Sequence, residues 1–152
     1  MSYAVKSMLV FIAGFIFTNV ALSNLAVADT IEKDGYVIHY SAFNASFIQE
    51  DVAKLYKINR SRYRGLINIA VHRKMKDGSS KPVVVQLSGY GTRLSGSEAP
   101  LDFQMISEGD SVYYLAETII ANNETLDFLI KIKPTPQHSG IKLNFKQTFF
   151  TD

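Results

Sequence analysis

The chain of 152 residues contains no cysteine and no tryptophan, and only four of its residues are proline. Without cysteine, it can form no disulfide even in an oxidising compartment, and it offers no thiol to which a lipid anchor could be attached. Beyond the N-terminal region, no apolar run is long enough to span a bilayer. The folded part of the chain must therefore be held together without covalent cross-links.

The N-terminus has the pattern of an export signal. Lys6 precedes an apolar run from Met8 to about Val20, and the small residues Ala26 and Ala28 follow. This order of a charged residue, a short apolar run and an A-x-A-like site predicts a secretory signal peptide over residues 1–28, cleaved after Ala28. The alternative, a retained membrane anchor, is disfavoured because polar residues interrupt the run. About 124 residues remain, the size of one domain over residues 29–152.

Charge is nearly balanced overall, with a net charge of +2, but it is unevenly distributed along the chain. Residues 54–76 include eight basic and no acidic side chains, whereas residues 98–127 include seven acidic and no basic ones. Such asymmetry can indicate polyanion binding. Since export disfavours a nucleic-acid partner, the asymmetry is better explained by two complementary patches.

The exported region is typical of an all-β protein. Turn residues separate about seven short apolar or alternating segments, near residues 36–40, 66–73, 82–88, 101–107, 111–120, 125–133 and 141–150. Residues 46–56 instead have helical spacing, which predicts one short helix after the first strand. We therefore predict a single antiparallel β-sandwich, immunoglobulin-like in architecture but without the Cys–Trp–Cys hallmark of antibody domains.

Two details of this pattern can be checked directly. The segment 125–133 alternates, so that its apolar side chains should share one buried face: Leu126, Phe128, Ile130 and Ile132. Gly89 and Gly91 lie within another predicted strand, where glycine suggests a bulge or a bend.

Three arginines precede the strand near residue 66. Arg60, Arg62 and Arg64 occupy every second position, so an extended backbone would place all three guanidinium groups on one face. Arginine suits forked contacts with carboxylate or phosphate, which would make this face a docking site for an anionic partner. Two other interpretations stay open: a solvated strand entrance, or pairing with the acidic half of the chain.

Candidate catalytic and metal-binding residues are few. The histidines are His39, His72 and His138, and no HxH or HExxH pattern brings three or four ligands together. Residues 86–91 lack the spacing of a nucleophile elbow, and the glycines form neither a dinucleotide-binding nor a phosphate-binding loop. We therefore assign no catalytic residue, no metal and no cofactor.

Several segments together resemble one protein family. They are residues 36–44 (YVIHYSAFN), the Val52, Ala53 and Tyr56 positions of the predicted helix, residues 59–61 (NRS), and the terminal residues 147–152 (QTFFTD). In combination they are similar to the DUF4426 family of small exported gammaproteobacterial proteins without an established function. The resemblance implies a Gram-negative periplasmic location and supplies no catalytic residues. Within the arginine series it favours Arg60, which lies in a matching motif.

The sequence thus predicts a periplasmic, non-catalytic binding or protein-interaction module. Its surface would comprise residues 57–64, including Arg60, Arg62 and Arg64, together with His39, Tyr40 and Asn44. The expected partner is a protein or an anionic envelope component, and we expect a monomer with no membrane anchor after cleavage.

Two alternatives from other classes remain. The first is a small enzyme whose site forms only in three dimensions, for which a pocket gathering His39, His72 and an acid would be the sign. The second is a structural or assembly subunit that uses an open edge strand.

Overall fold

The computed structural model of the protein describes residues 28–152, so the predicted signal peptide lies outside the described residues except for Ala28. Nothing helical in this described part is both long and apolar enough to cross a membrane. Ten strands make up most of it: β1 (Asp29–Lys33), β2 (Tyr36–Asn44), β3 (Arg64–Lys74), β4 (Ser80–Pro82), β5 (Gln86–Arg93), β6 (Glu98–Leu101), β7 (Gln104–Glu108), β8 (Ser111–Ile119), β9 (Glu124–Lys133) and β10 (Ile141–Phe149). A 3₁₀ turn (Ala45–Phe47) and one α-helix, α1 (Glu50–Tyr56), follow β2.

The strands form two antiparallel sheets. In sheet A the order is β1-β2-β3-β8-β7, with β4 also paired to β3, and in sheet B it is β10-β9-β5-β6. Since the inward faces of both sheets contribute to one hydrophobic core, the predicted all-β antiparallel sandwich is confirmed.

The number and bounds of the elements differ from the prediction. β1 and β4 were not anticipated, and the predicted strand 101–107 is two strands, β6 and β7, which belong to different sheets. The predicted helix 46–56 is divided, because Ile48 and Gln49 adopt extended backbone angles between the 3₁₀ turn and α1. Helical spacing of apolar residues identified α1 but could not detect this two-residue break.

Aromatic rings connect the two sheets. Tyr40 of sheet A lies 4.8 Å, centre to centre, from Phe145 of sheet B, and Phe145 stacks on Phe128 at 5.0 Å. Phe128 also meets Phe149 edge-on at 6.3 Å. These separations are within the range in which aromatic pairs attract, and each buried ring adds about 1.5–3 kcal/mol through removal from water.

The alternation predicted for β9 is confirmed by burial. All four side chains of its predicted inward face are fully buried: Leu126, Phe128, Ile130 and Ile132. The bulge suggested for β5 is absent, since the register runs unbroken from Gln86 to Arg93. Gly91 is needed there for a different reason: a Cβ at this position would lie only 2.8 Å from the Phe128 ring.

One tyrosine fastens sheet A to the segment that leads into β5. The hydroxyl of Tyr114, on β8, accepts a hydrogen bond from Val85 N at 2.7 Å and donates one to Val85 O at 3.0 Å. Both residues are buried. Because buried backbone groups without a partner are costly, this hydroxyl satisfies two groups that water cannot reach.

We expect Tyr114→Phe to lower the free energy of unfolding by about 2–3 kcal/mol, since it leaves the N–H and the C=O of Val85 without partners. Urea denaturation would measure the change. Tyr113→Phe is the matched control, because no partner for the Tyr113 hydroxyl is found among the described residues, and it should change stability by less than about 0.5 kcal/mol. Equal effects of the two substitutions would contradict this role for Tyr114.

Candidate binding surface

The segment that carries the three arginines, residues 59–64, which we call the arginine segment, does not form a strand before residue 64. Its backbone turns at Ser61, whose carbonyl accepts from Arg64 N at 3.2 Å and whose hydroxyl accepts from Tyr63 N at 3.1 Å. The backbone is therefore not extended over residues 60–63, and the period of two that would place the three guanidinium groups on one face does not apply. A serine hydroxyl can stabilise such a turn by accepting from the backbone N–H two residues further on, and this local bond competes with extension.

Each guanidinium has different surroundings. Arg60 Nη2 donates to Ser46 O at 3.2 Å, and the guanidinium carbon of Arg62 lies 5.1 Å from the ring centre of Tyr63. Arg64 Nη1 is 3.2 Å from Glu117 Oε2. Internal pairing with the acidic half of the chain therefore accounts for Arg64, whereas Arg60 and Arg62 stay exposed.

Glu117, on the outer face of β8, shapes the loop before β3. Besides pairing with Arg64 through Oε2, its Oε1 accepts from Asn59 N at 3.1 Å. One carboxylate thus fixes both ends of the arginine segment. Sequence reasoning missed Glu117 because its place opposite Leu66 depends on strand register, for which the sequence carries no local signal.

Asn44 ties the arginine segment to the C-terminus. Its side chain is only 7% exposed, and Nδ2 donates to Phe150 O at 2.7 Å and to Arg62 O at 3.2 Å. The tail itself is held by Asn122, whose Oδ1 accepts from Thr151 N at 3.0 Å. Of the predicted site residues, Asn44 and Arg62 are therefore brought together.

We expect Asn44→Ala to lower the free energy of unfolding by about 1–2 kcal/mol, because two partly buried carbonyls lose their donor. Hydrogen exchange should also speed up in residues 60–63 and 150–152, and urea denaturation would give the stability change. Asn144→Ala, at an exposed position of β10, serves as the control and should have almost no effect. Unaltered exchange in both segments of Asn44→Ala would refute the proposed tie.

An open groove lies beside the arginine segment. It has a volume of about 470 Å³ and runs along α1 and the residues that follow it: Glu50, Ala53, Lys54, Lys57, Ile58, Asn59 and Arg60. We call it the basic groove. Lys54 pairs with Glu50 at 2.6 Å, but no carboxylate partner for Lys57 or Arg60 is found among residues 28–152.

Apolar side chains accompany these cations. Ala53 and Ile58 are buried beneath the basic groove. Outside the lining of the groove, Leu55 of α1 is 56% exposed and Phe47 of the 3₁₀ turn is 69% exposed. Tyr63, in the arginine turn, is 51% exposed. Large exposed apolar side chains next to unpaired cations are typical of a contact surface rather than of a merely solvated face.

His39 and Tyr40 do not belong to this surface. Tyr40 points into the sandwich, where burial, and secondarily Asp29, raises the pKa of its hydroxyl. His39 lies on the outer face of sheet A with its ring centre 5.2 Å from that of His72. Burial, with a smaller contribution from His39, lowers the pKa of His72. Within the described residues, no group of three or more His, Cys, Asp or Glu side chains could hold a metal ion.

A second, much smaller cavity of about 50 Å³ lies on the outer face of sheet A. Apolar side chains dominate its lining, yet three buried polar atoms there lack a hydrogen-bond partner within the described region: Tyr56 Oη, Asn68 Oδ1 and Glu108 Oε2. Burial raises the pKa of Glu108 above its usual value. This carboxylate therefore disfavours the native state once it is charged.

Glu108 gives the stability a predictable pH dependence. Between the usual pKa and the raised pKa, the native state keeps a proton that the unfolded state releases, so stability falls as pH rises through this window. We expect Glu108→Gln to stabilise the protein at pH 7, and the difference should shrink at pH 4. Urea denaturation at both pH values, with the exposed Glu98→Gln as control, would test this. A destabilising effect at pH 7 would overturn it.

Comparison with known proteins identifies the family. The model of the domain of unknown function DUF4426 matches residues 30–152, so the chain belongs to the DUF4426 family. The crystal structure of a DUF4426 family protein from Pseudomonas aeruginosa PAO1 superposes with a TM-score of 0.70 at 31% sequence identity, covering 82% of this chain and 96% of that one. Comparison with curated proteins gives no match.

The fold is shared more widely. FetP from uropathogenic Escherichia coli strain F11, recombinantly expressed in the periplasm, superposes with a TM-score of 0.58 at 9% identity, covering 83% of this chain and 95% of that one. A copper-bound variant of FetP gives the same TM-score and identity, covering 82% and 95%. At this identity the likeness is one of fold.

Proposed function

We propose that this DUF4426 protein is a periplasmic, non-catalytic interaction module that binds an acidic segment of a partner protein in the basic groove. The observation that supports this most directly is the presence of Lys57 and Arg60 in the groove, exposed and without carboxylate partners in the described chain, next to a helix that exposes Leu55. An acidic peptide would supply the missing counter-charges. Its own apolar side chains would cover Phe47 and Leu55.

A peptide suits the groove better than a free anion. Arginine can form two parallel hydrogen bonds with a carboxylate, but phosphate or a sugar headgroup would leave the exposed side chains of Phe47 and Leu55 in contact with water. An interface gains most from a desolvated apolar centre with charges around it. Exposed Leu55, on the helix that borders the groove, would supply apolar contact, and Lys57 and Arg60 would supply the charges.

The periplasmic location is supported by the N-terminal pattern of residues 1–28 and by the fold likeness to FetP, which was recombinantly expressed in the periplasm. Copper binding is a property of the FetP variant. At 9% identity the likeness shows the fold alone, so it carries no argument about metal binding by this chain.

In-cell photo-crosslinking tests the proposal. A photoreactive amino acid at position 57 should capture a partner, and mass spectrometry should map the cross-link to a segment rich in Asp or Glu. Arg60→Glu should reduce the yield about tenfold or more, because it puts a like charge opposite the peptide carboxylates. Lys142→Glu, an exposed charge reversal on β10, is the control and should leave the yield unchanged.

Two results would oppose the proposal. One is a cross-link that maps to a segment without acidic residues, or that survives Arg60→Glu. The other is binding of the purified protein to phosphatidylglycerol vesicles with no protein captured in cells, which would replace the peptide with an anionic envelope surface.

One observation favours a second function. β10 is a nine-residue strand at the edge of sheet B, paired with β9 on one side only. Open edges can template pairing with another chain, as expected of an assembly subunit. In that case sedimentation would show concentration-dependent association, and a proline in β10 would abolish it without unfolding the sandwich.

A further inference from the structure

Two histidines meet on the outer face of sheet A. His39 on β2 pairs with Ala70, and His72 on β3 pairs with Val37, so the two are diagonal neighbours across adjacent antiparallel strands. Their ring centres are 5.2 Å apart and the rings are inclined at 74°. The pair lies far from the basic groove, since His72 is eight residues, or about 27 Å of extended strand, beyond Arg64.

Both rings are held in the same way by hydroxyl groups. His39 Nδ1 lies 3.0 Å from Thr30 Oγ1, and His72 Nδ1 lies 3.4 Å from Ser80 Oγ. Thr30 and Ser80 come from β1 and β4, which flank β2 and β3. When Nδ1 donates its proton to such an oxygen, the Nε2 lone pair is free to coordinate a metal ion. Metal-binding histidine usually donates its other ring N–H to an oxygen that orients the ring, and the hydroxyl oxygens of Thr30 and Ser80 are placed to accept that bond.

The separation of the rings suits a shared ion. A metal ion held about 2.0–2.1 Å from one nitrogen of each ring, at a tetrahedral angle, separates the two ring centres by about 5.2 Å. A linear arrangement would need more than about 6 Å, so the observed 5.2 Å fits the tetrahedral case. We propose that His39 and His72 bind one divalent first-row transition-metal ion through their Nε2 atoms.

Among the described residues, no third His, Cys, Asp or Glu side chain joins the pair. Glu32 lies on the same face, since it pairs with Val37, which in turn pairs with His72. Its carboxylate is bound to Lys74 Nζ at 2.7 Å and so is already neutralised. An ion held by two imidazoles alone keeps positions open for water or an added ligand, and imidazole selects Cu²⁺, Ni²⁺ and Zn²⁺ over Mg²⁺ and Ca²⁺.

Calorimetric titration with CuCl₂ and with ZnCl₂ tests the proposal on the exported chain, purified without an affinity tag. We expect one ion per chain with micromolar affinity, and Cu²⁺ should bind more tightly than Zn²⁺. His39→Ala and His72→Ala should each weaken binding at least about tenfold. His138→Ala is the matched control, because that ring packs against Tyr36 and Asp34, and it should leave binding unchanged.

A second readout separates coordination from simple ring packing. In the Zn²⁺-bound protein, ¹⁵N spectra of the imidazoles should show both Nε2 resonances shifted to metal-bound values and both Nδ1 atoms protonated. Thr30→Val, which removes the hydroxyl but keeps the side-chain shape, should weaken binding by about tenfold.

The opposite outcomes are equally clear. Absence of binding at micromolar metal, or equal binding by a folded His39→Ala/His72→Ala double variant, would overturn the proposal and leave the pair as an edge-to-face ring contact. Metal bound with unshifted Nε2 resonances would also overturn it.

Discussion

The structure depends on the contact between two sheets that the chain connects through loops but that no disulfide cross-links. Phe128 and Phe149 of sheet B lie fully buried between the layers. Phe145 packs against both Phe128 and Tyr40, and Tyr40 belongs to sheet A. The backbone hydrogen bonds between strands all lie within one sheet or the other. The two layers are therefore held against each other by buried side chains and by a few side-chain hydrogen bonds. Removal of apolar area from water has to supply that attraction.

The candidate binding surface depends on the same packing. Phe149 approaches Gly65 so closely that a Cβ there would lie 2.9 Å from its ring, which brings the end of β10 against the start of β3. The next residue, Phe150, then presents its carbonyl to Asn44, and Asn44 also holds Arg62. The buried ring of Phe149 therefore helps to position Phe150, and the Asn44 side chain that binds Phe150 also positions the arginine segment.

The sequence was informative where burial alone determines the structure. Alternation along β9 predicted its buried face correctly, because side chains in a strand point to opposite sides whatever the neighbouring strand is. It failed where the partner strand matters. β1 has only one partly buried side chain, Ile31, among its five residues, so its pairing with β2 leaves almost no hydrophobic pattern to detect.

In the candidate site, too, the sequence indicated which residues take part but not the contacts that depend on a neighbouring strand. Asn44, Arg60 and Arg62 could be proposed from composition and resemblance, but their roles could not be separated, since a run of alternating arginines looks the same whether it is extended or turned. Glu117 and the Thr30–His39 contact arise from register across neighbouring strands. One residue of slip would move each of these side chains to the opposite face.

β3 links the two surfaces without making them depend on each other. Its first residue, Arg64, is neutralised by Glu117, and near its far end His72 faces His39 across the ladder to β2. Between them the inward side chains of Ile67, Ile69 and Val71 are fully buried, so the middle of the strand is packed into the core. This packing fixes the geometry of each surface separately. A substitution at one end of the strand therefore changes the other end only if it disturbs the core that both share.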